Sequence, residues 1–361
     1  MEAIIEKYKD IIIQIATPYC TGTGFYSSEL KVIVTNEHVV RDNKTVVVDG
    51  TSFEKQLVKV LFTDPKYDLA FLALPFGSTF SQTVLETEKK LLPNDHIVVI
   101  GEPFGLKYMA RKGRVISTNY SIDDIDYIEH DAELHPINSG GPMVNEAGAI
   151  VAVNTFILKD GLNEGFSLPA KFLKEVFTDF QAGNGKTGCR CYVCSTLVFD
   201  DNFKKNRCPK CKNKIDIPAL AVEYQPVGIA RTVEELLIEN GYQIALARRG
   251  PNSWEIHQGS AFINISYYEK SGLIIGDAYL CSLPTEDTQP LYEYLLRQNH
   301  KIESLTFSVK GNDVVLSLMI YDRYLNDGTG RNLLKHLFEA ADDYDDILIE
   351  KYGGAWKVRN N

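Results

Sequence analysis

The sequence lacks any long apolar run. None of its uninterrupted hydrophobic stretches approaches the roughly 18 residues that a transmembrane helix needs, so we expect no segment that crosses a membrane. Residues 1–10, MEAIIEKYKD, also lack the apolar core and the small-residue cleavage site of a secretory leader. These two absences lead us to expect a cytoplasmic protein.

Basic residues are scarcer than acidic ones. The chain of 361 residues carries 38 Lys and Arg against 48 Asp and Glu, a formal net charge of −10. This balance disfavours a protein that coats nucleic acid or an anionic membrane, and we expect neither as a partner. Hydrophobic residues make up 44% of the sequence, as in ordinary globular domains. At this length we expect two or three domains.

Short apolar runs dominate residues 11–153. They are separated by Gly, Asn and Asp, which favour turns, and this spacing predicts a barrel-forming β domain. Residues 170–180 instead repeat Phe, Leu and Val at helical spacing, so a helix should close that domain. Residues 181–188 contain three glycines among small and polar residues and predict a linker.

Three residues that suit nucleophilic catalysis occur in the order His, Asp, Ser. His38 lies just after the strand-like run of residues 32–34, and Asp68 directly precedes the apolar run LAFLAL. Ser139 is followed by two glycines, which tolerate the dihedral angles of a tight turn that presents a nucleophile. This order is one of three known for the Ser-His-Asp triad, so we predict these residues as catalytic. His130 is expected only to pack at the surface or in a pocket wall.

Seven segments resemble trypsin-like serine proteases of the HtrA (DegP) type. In chain order they are TGTGF (21–25), TNEHVV (35–40), YDLAFLAL (67–74), GEPFG (101–105), GRVIS (113–117), NSGGP (138–142) and EGFSLP (164–169). The resemblance covers roughly residues 10–180 and implies an all-β double-barrel domain with serine endopeptidase activity. It implies that Ser139 attacks the carbonyl of a protein or peptide substrate. His38 then moves the proton, and Asp68 orients the imidazole.

The resemblance also assigns the oxyanion hole and the substrate pocket. The backbone N–H groups of Ile137 and Ser139 should form the oxyanion hole, although the family carries glycine where this sequence has Ile137. Leu134 should form the wall of a pocket for a small or medium apolar side chain. Glu133, if it points inward, would instead favour a basic side chain.

Five of the seven cysteines lie close together in the sequence. Four of them form two Cys-x2-Cys pairs separated by 13 residues, the spacing of a zinc ribbon: Cys191, Cys194, Cys208 and Cys211. In a reducing compartment such clustering indicates a metal rather than disulfides, and the paired motifs disfavour a redox dithiol. A closed four-thiolate site has no open position for catalysis, so we expect a structural zinc. Cys189 either competes with Cys191 for one position or is spare.

From about residue 222 the pattern changes to a mixture of helices and strands. Helices are predicted near residues 233–241, 288–299 and 330–349, and the whole order is α-β-β-β-α-β-β-α. This order resembles the YbjN or type III secretion chaperone-like fold. The resemblance implies a non-enzymatic domain that binds a protein partner, and such domains often form homodimers.

The sequence thus predicts a multidomain protein with three parts. Residues 1–182 should form the trypsin-like serine protease domain, residues 183–221 the linker and the small zinc ribbon, and residues 222–361 the α+β chaperone-like domain. Two functions stay open at this point. One is a cytoplasmic serine endopeptidase whose C-terminal modules recruit a substrate or partner. The other is a protease-fold adaptor that has lost most catalysis and acts through protein binding.

Ile137 predicts weak basal activity. If the oxyanion hole needs a positive φ near this position, a β-branched residue resists it, and the peptide rests with a carbonyl where an N–H should lie. Loss of one oxyanion donor typically costs about 100- to 1,000-fold in turnover. We therefore expect Ile137→Gly to raise kcat on a short peptide, whereas Ser139→Ala abolishes turnover. An Ile137→Gly protein that folds but turns over no faster would refute this account.

Overall fold

The computed structural model describes residues 2–101, 109–133, 138–158, 164–200, 206–258 and 261–355. Contacts between residues divide the chain into two compact units, Met1–Glu223 and Tyr224–Asn361. Within the described ranges, no helix combines the length and the apolar character that crossing a membrane requires.

The first unit begins with a six-stranded barrel. Its strands are β1 (Ile12–Ala16), β2 (Thr21–Ser27), β3 (Val32–Thr35), β4 (Thr45–Gly50), β5 (Phe53–Asp64) and β6 (Leu69–Leu72). They lie in the order β5-β4-β1-β2-β3-β6, and β6 pairs back with β5 to close the barrel. Two short helices accompany them, α1 (Glu2–Lys7) and α2 (Glu37–Val40).

A second six-stranded barrel follows in the same unit. Its strands are β7 (His96–Gly101), β8 (Met109–Ile122), β9 (Ile125–His130), β10 (Pro142–Asn145), β11 (Ile150–Leu158) and β12 (Glu164–Pro169). They close in the order β10-β11-β12-β9-β8-β7. The predicted double-barrel protease architecture is therefore confirmed.

The strands of the first barrel are apolar on both faces because each face meets a different core. Ile13 and Ile33 belong to a buried cluster made only of first-barrel residues. Their neighbours Ile12 and Val34 belong to a second buried cluster, which also contains Val98 from the second barrel. Since successive side chains of a strand point to opposite faces, both faces must be apolar. This explains the uninterrupted apolar runs in the sequence.

Helix α3 (Ala170–Gln181) follows the second barrel. It buries Leu173, Val176 and Phe180 in the cluster that the two barrels share. Their spacing of three and four residues puts them on one helical face. The predicted closing helix is thus present at the predicted place.

The segment that contains the five clustered cysteines, from Cys189 to Cys211, packs on the first barrel and is called the cysteine segment below. Its strands β13 (Gly188–Arg190) and β14 (Leu197–Phe199) extend the first-barrel sheet, because β13 pairs in parallel with β5. A short 3-10 helix, Pro218–Leu220, comes after the last cysteines. The division between the units after Glu223 lies close to the predicted boundary at residues 221 and 222. The three-part division itself stays a prediction.

The second unit contains a five-stranded antiparallel sheet with helices. Its elements are α4 (Gly228–Glu239), α5 (Ile244–Ala247), β15 (Ser253–Gln258), β16 (Ala261–Tyr268), β17 (Leu273–Ser282), α6 (Gln289–Asn299), β18 (Leu305–Lys310), β19 (Asp313–Tyr321) and α7 (Asp327–Tyr352). The strand order is β15-β16-β17-β19-β18. The elements follow the predicted order, with α5 as an additional short helix.

One face of this sheet is buried and the other is only partly covered. Ile263 and Ile265 of β16 are fully buried in the core that the helices share. The alternate residues of β16 and its neighbours face the other way and retain exposed surface, which reaches 59% for Met319 and 50% for Tyr321. We call this second side the open sheet face, defined by Phe262, Ile275, Tyr279, Met319 and Tyr321.

Candidate active site and cysteine cluster

His38 and Asp68 meet where the end of β3 pairs with the start of β6. Asp68 Oδ1 accepts the backbone N–H of His38 at 3.0 Å, and Asp68 Oδ2 lies 2.7 Å from His38 Nδ1. Asn36 donates its side-chain amide to the backbone carbonyl of Asp68 at 2.8 Å. The imidazole is therefore held through Nδ1 by a carboxylate, which leaves Nε2 as the nitrogen for proton transfer.

Ser139 lies in a turn that requires glycine at the next two positions. Gly140 has a φ of +87°, and a Cβ there would collide with the carbonyl oxygen of Thr23. A Cβ on Gly141 would collide with the carbonyl oxygen of Ile100. Thr23 belongs to the first barrel and Ile100 to the second, so the turn is packed between the two barrels.

Backbone hydrogen bonds hold this turn to both barrels. Ser139 O accepts the N–H of Thr23 at 2.9 Å, and the Gly140 N–H donates to Asn154 O at 2.8 Å. The hydroxyl of Ser139 donates to Thr155 O at 3.2 Å, which fixes it on β11 in this arrangement. The backbone of the turn is already held, so only a rotation about the Cα–Cβ bond of Ser139 is needed to redirect its hydroxyl.

The turn also lies next to the helix that carries His38. A Cβ on Gly140 would come within 2.9 Å of the backbone nitrogen of Asn36, two residues before His38. The structure thus brings His38 and Asp68 into direct contact and places the Ser139 turn beside Asn36, while the Ser139 hydroxyl itself bonds to Thr155 O. Ile137 and Leu134, predicted for the oxyanion hole and the pocket wall, lie outside the described residues.

Glu133 directly precedes Leu134 in the sequence and is a described residue. Its side chain is 76% exposed, and its carboxylate lies 3.6 Å from Arg111 Nε. An exposed carboxylate that faces an arginine is poorly suited to recognise a basic substrate residue. The two alternatives for the pocket both stay predictions.

A buried polar network behind the Ser139 turn was missed by sequence reasoning. His130 Nε2 lies 3.1 Å from Ser167 Oγ, and Ser167 donates to Asn154 Oδ1 at 3.2 Å. Asn154 in turn accepts the N–H of Gly140 through its backbone carbonyl. His130 was expected only to pack, and it does so here as a hydrogen-bonded core residue. No sequence pattern predicts the contact of His130 with Ser167, because it depends on the register of β9 and β12.

Burial keeps His130 neutral. The residue has no exposed surface, and its Nδ1 has no hydrogen-bond partner among the described residues. Desolvation by burial lowers the pKa of His130 to about 4. Desolvation of the charged form outweighs the nearby Asp131 and the backbone of Ala132, both of which would raise the pKa, so the neutral form is favoured.

Four cysteine sulfurs converge at the end of the first unit. The Sγ atoms of Cys191, Cys194, Cys208 and Cys211 lie within 4.8 Å of one another, as a single metal ion would require. A hydrogen bond with Thr196 lowers the pKa of Cys194 to about 6, which favours the thiolate that binds metals. The four predicted ligands therefore form a cluster that can hold a metal ion.

Comparisons with known proteins agree with the first unit. Residues 22–153 match the trypsin-like peptidase domain family. The chain is 32% identical over 183 residues to the serine protease HTRA1 of Xenopus laevis, an alignment that covers 46% of this chain and 39% of that protein. It is 36% identical over 168 residues to a probable periplasmic serine endoprotease, DegP-like, of Chlamydia trachomatis serovar D, covering 43% of this chain and 32% of the relative.

The matched part is thus less than half of each of these proteins. Among solved structures, the serine endoprotease from Yersinia pestis has a TM-score of 0.46 and 20% identity, covering 52% of this chain and 69% of that chain. The predicted trypsin-like serine protease domain of the HtrA or DegP type is confirmed by the family match and the relatives. The predicted zinc ribbon and the YbjN-like domain stay predictions.

The expected cytoplasmic location is wrong. The relative from Chlamydia trachomatis is named as a periplasmic protein, and that name contradicts a cytoplasmic assignment. The expectation depended largely on residues 1–10. Because the alignment covers only part of each relative, the first residues of the chain carry no information about where the protein resides.

The neutral state of His130 predicts acid sensitivity. Its pKa is about 4 in the folded protein against 6.5 for an ordinary histidine, so the unfolded chain binds more protons between these values. The free energy of unfolding should therefore fall as the pH drops from 6.5 to 4, by about 3 kcal/mol at most. Urea titrations at pH 7 and pH 4 should show a smaller loss in His130→Gln than in the wild type. The exposed His96 offers the control His96→Gln, and equal losses in all three proteins would contradict the prediction.

Proposed function

We propose that the chain is a serine endopeptidase that cleaves protein or peptide substrates through His38, Asp68 and Ser139. The observation that carries the proposal is the contact of 2.7 Å between Asp68 Oδ2 and His38 Nδ1, formed beside a glycine-supported serine turn. The confirmed protease domain and its serine protease relatives support it.

In the proposed mechanism, Asp68 accepts the Nδ1–H of His38 and so presents Nε2 as the base. The Ser139 hydroxyl leaves Thr155 O, transfers its proton to Nε2 and attacks the substrate carbonyl. His38 then delivers that proton to the leaving amine. The Asp68 carboxylate accepts two hydrogen bonds from His38, one from the ring and one from the backbone N–H, and these keep the imidazole in one orientation through both steps.

A second candidate function is a protease-fold adaptor with little catalysis. Two features favour it: Ile137 occupies a position where the family has glycine, and the Ser139 hydroxyl bonds to Thr155. Neither removes a residue of the proposed triad. Only a measurement of nucleophile reactivity separates the two functions.

Reaction with a fluorophosphonate probe tests the enzyme directly. We expect the wild-type chain to be labelled at Ser139, because the probe needs a serine activated by histidine. Ser139→Ala should lose the label, and His38→Ala should react at least about 1,000-fold more slowly. Ser121→Ala, an exposed serine on β8, is the matched control and should react normally. A wild-type protein that is not labelled would favour the adaptor.

We also propose that the four-cysteine cluster holds a structural zinc. Four thiolates in two Cys-x2-Cys pairs suit tetrahedral zinc, and the cluster is compact enough for one ion. A bound zinc would supply no catalytic step there. It would fix the two cysteine turns, which otherwise contain few buried apolar residues.

Elemental analysis should find about one zinc per chain. Replacing Cys208 and Cys211 together by serine should release the metal, whereas Cys281→Ser, a buried thiol of the second unit, should not. Cys189→Ala separates the two alternatives for that residue, because retained zinc would make Cys189 spare. Full zinc retention in the Cys208 and Cys211 double variant would contradict the assignment.

The second unit is proposed to recruit a substrate or partner protein. The open sheet face exposes apolar and aromatic side chains on a YbjN-like order of elements, and exposed apolar patches of this kind mark binding sites. The same face could instead bind a second copy of the chain and form a homodimer. Both occupants are proteins, in keeping with the net charge of −10.

Charge placed on the open sheet face tests recruitment. In the full chain, Met319→Glu should lower cleavage of a natural partner protein by about tenfold and leave cleavage of a short peptide unchanged, because only the former needs the second unit. Leu296→Glu, on an exposed position of α6, is the control and should change neither rate. Sedimentation of the same variants reports on the homodimer. Unchanged partner cleavage and unchanged mass in Met319→Glu would refute a binding role for this face.

A further inference from the structure

The loop that carries Asp68 is shaped by a second carboxylate, Asp64. Asp64 is fully buried, and its Oδ1 accepts the backbone N–H groups of Lys66 and Tyr67 at 3.1 and 3.3 Å. These bonds form a turn that leads directly into Asp68, which has a φ of +50°. Aspartate adopts this left-handed conformation more readily than most residues, and the turn before it brings the chain into that conformation. Asp64 thus holds the backbone of the two residues that immediately precede Asp68.

Arg190, from the cysteine segment, holds the other oxygen of Asp64. Its Nε donates to Asp64 Oδ2 at 2.7 Å, and its Nη2 donates to Asp179 in α3 at 2.5 Å. Its Nη1 donates to Ser195 O at 3.4 Å, and the guanidinium lies 5.7 Å from the centre of the Tyr67 ring. One guanidinium, only 9% exposed, thus joins the triad loop, α3 and the cysteine segment.

The cysteine turn also contacts Arg190. The parallel pairing of β13 with β5 places Arg190 beside Asp64, and the next residue is Cys191. The Ser195 N–H donates to Cys191 O at 2.9 Å, which closes the turn whose Ser195 carbonyl bonds to Arg190. Cys191 and Cys194 are two of the four clustered cysteines. A metal bound to them would hold this turn, and with it one of the three hydrogen bonds of Arg190.

We propose that Arg190 is a positioning residue for Asp68, and that metal binding at the cysteine cluster controls peptidase activity through it. This inference rests on the proposed function, because Asp68 acts only through His38 and Ser139. Without the metal, the Ser195 turn relaxes and the bond from Arg190 to Asp64 weakens. The loop then leaves the conformation in which Asp68 faces His38.

The first test replaces the guanidinium. Arg190→Gln should lower kcat on a short peptide by about 10- to 100-fold with little change in KM, because misplacement of a catalytic group slows chemistry rather than binding. Arg190→Lys should recover part of the loss. Arg248→Gln is the matched control, since Arg248 bonds to Glu234 at 2.8 and 2.7 Å within the second unit. Unchanged kcat in Arg190→Gln would overturn the proposal.

A double-variant comparison distinguishes positioning from general destabilisation. In a chain that already carries Asp68→Ala, Arg190→Gln should cause no further loss of the residual activity, because its effect passes through Asp68. Equal losses in both backgrounds would show that Arg190 only supports the fold. If Arg190→Gln does not fold, Asp64→Asn takes its place, since its side-chain oxygen can still accept the two backbone N–H groups of the turn.

Hydrogen exchange tests whether the metal affects the loop of Asp68, without measuring activity. After a chelator has removed the metal from the full chain, the amides of residues 64–72 should exchange faster, and added Zn²⁺ should restore their protection. Arg190→Gln with its metal bound should show the same faster exchange. Residues 96–101 of the second barrel serve as the internal control and should not change. Identical exchange at residues 64–72 with and without metal would overturn the proposal that metal binding regulates activity.

The two proposals can fail separately. A wild-type chain that does not react with the fluorophosphonate probe defeats the proposed function, whatever the exchange experiment shows. A reactive wild-type chain whose labelling rate is the same with and without metal, and in Arg190→Gln, defeats only the present inference.

Discussion

The candidate active site depends on the packing of the two barrels against each other. His38 and Asp68 come from the first barrel, whereas the Ser139 turn belongs to the second. Phe71 and Phe166, one from each barrel, lie in the buried cluster that the barrels share. Burial of a side chain of this size contributes about 2 to 3 kcal/mol. Because glycines bring the backbone of the turn against both barrels, a shift of one barrel against the other would move the Ser139 turn relative to His38.

The sequence carried most of the information about this arrangement. Apolar runs between turn residues predict the strands, because this pattern is local in the sequence. The motifs that contain His38, Asp68 and Ser139 are also short, so their order can be identified without the structure. The glycines after Ser139 were readable too, since a tight turn needs them. The second role of these glycines, which is to let Thr23 and Ile100 approach the turn closely, could not be predicted, because those residues are far away in the chain.

What sequence reasoning missed are the contacts between distant residues. His130 and Ser167 are 37 residues apart, and Asp64 and Arg190 are 126 apart, so no periodicity links them. The glycines near residue 185 illustrate the same limit. They predicted a linker, yet a Cβ on Gly183 or Gly188 would collide with the ring of Phe199. Glycine is needed there because another side chain packs on the backbone, and local composition cannot distinguish that from flexibility.

The Arg190–Asp64 pair shows why a buried charge can persist where apolar residues would cost less. Replacing a buried ion pair by well-packed apolar side chains is often neutral or stabilising, so stability alone does not explain it. Asp64, however, accepts two backbone N–H groups that no apolar residue could satisfy. An asparagine could also accept these N–H groups, so the turn itself does not demand the charge; but a carboxylate buried here is stabilised by a cation beside it. In this chain the cation is Arg190 of the cysteine segment, so the charge beside the loop that leads into Asp68 is tied to the folding of that segment.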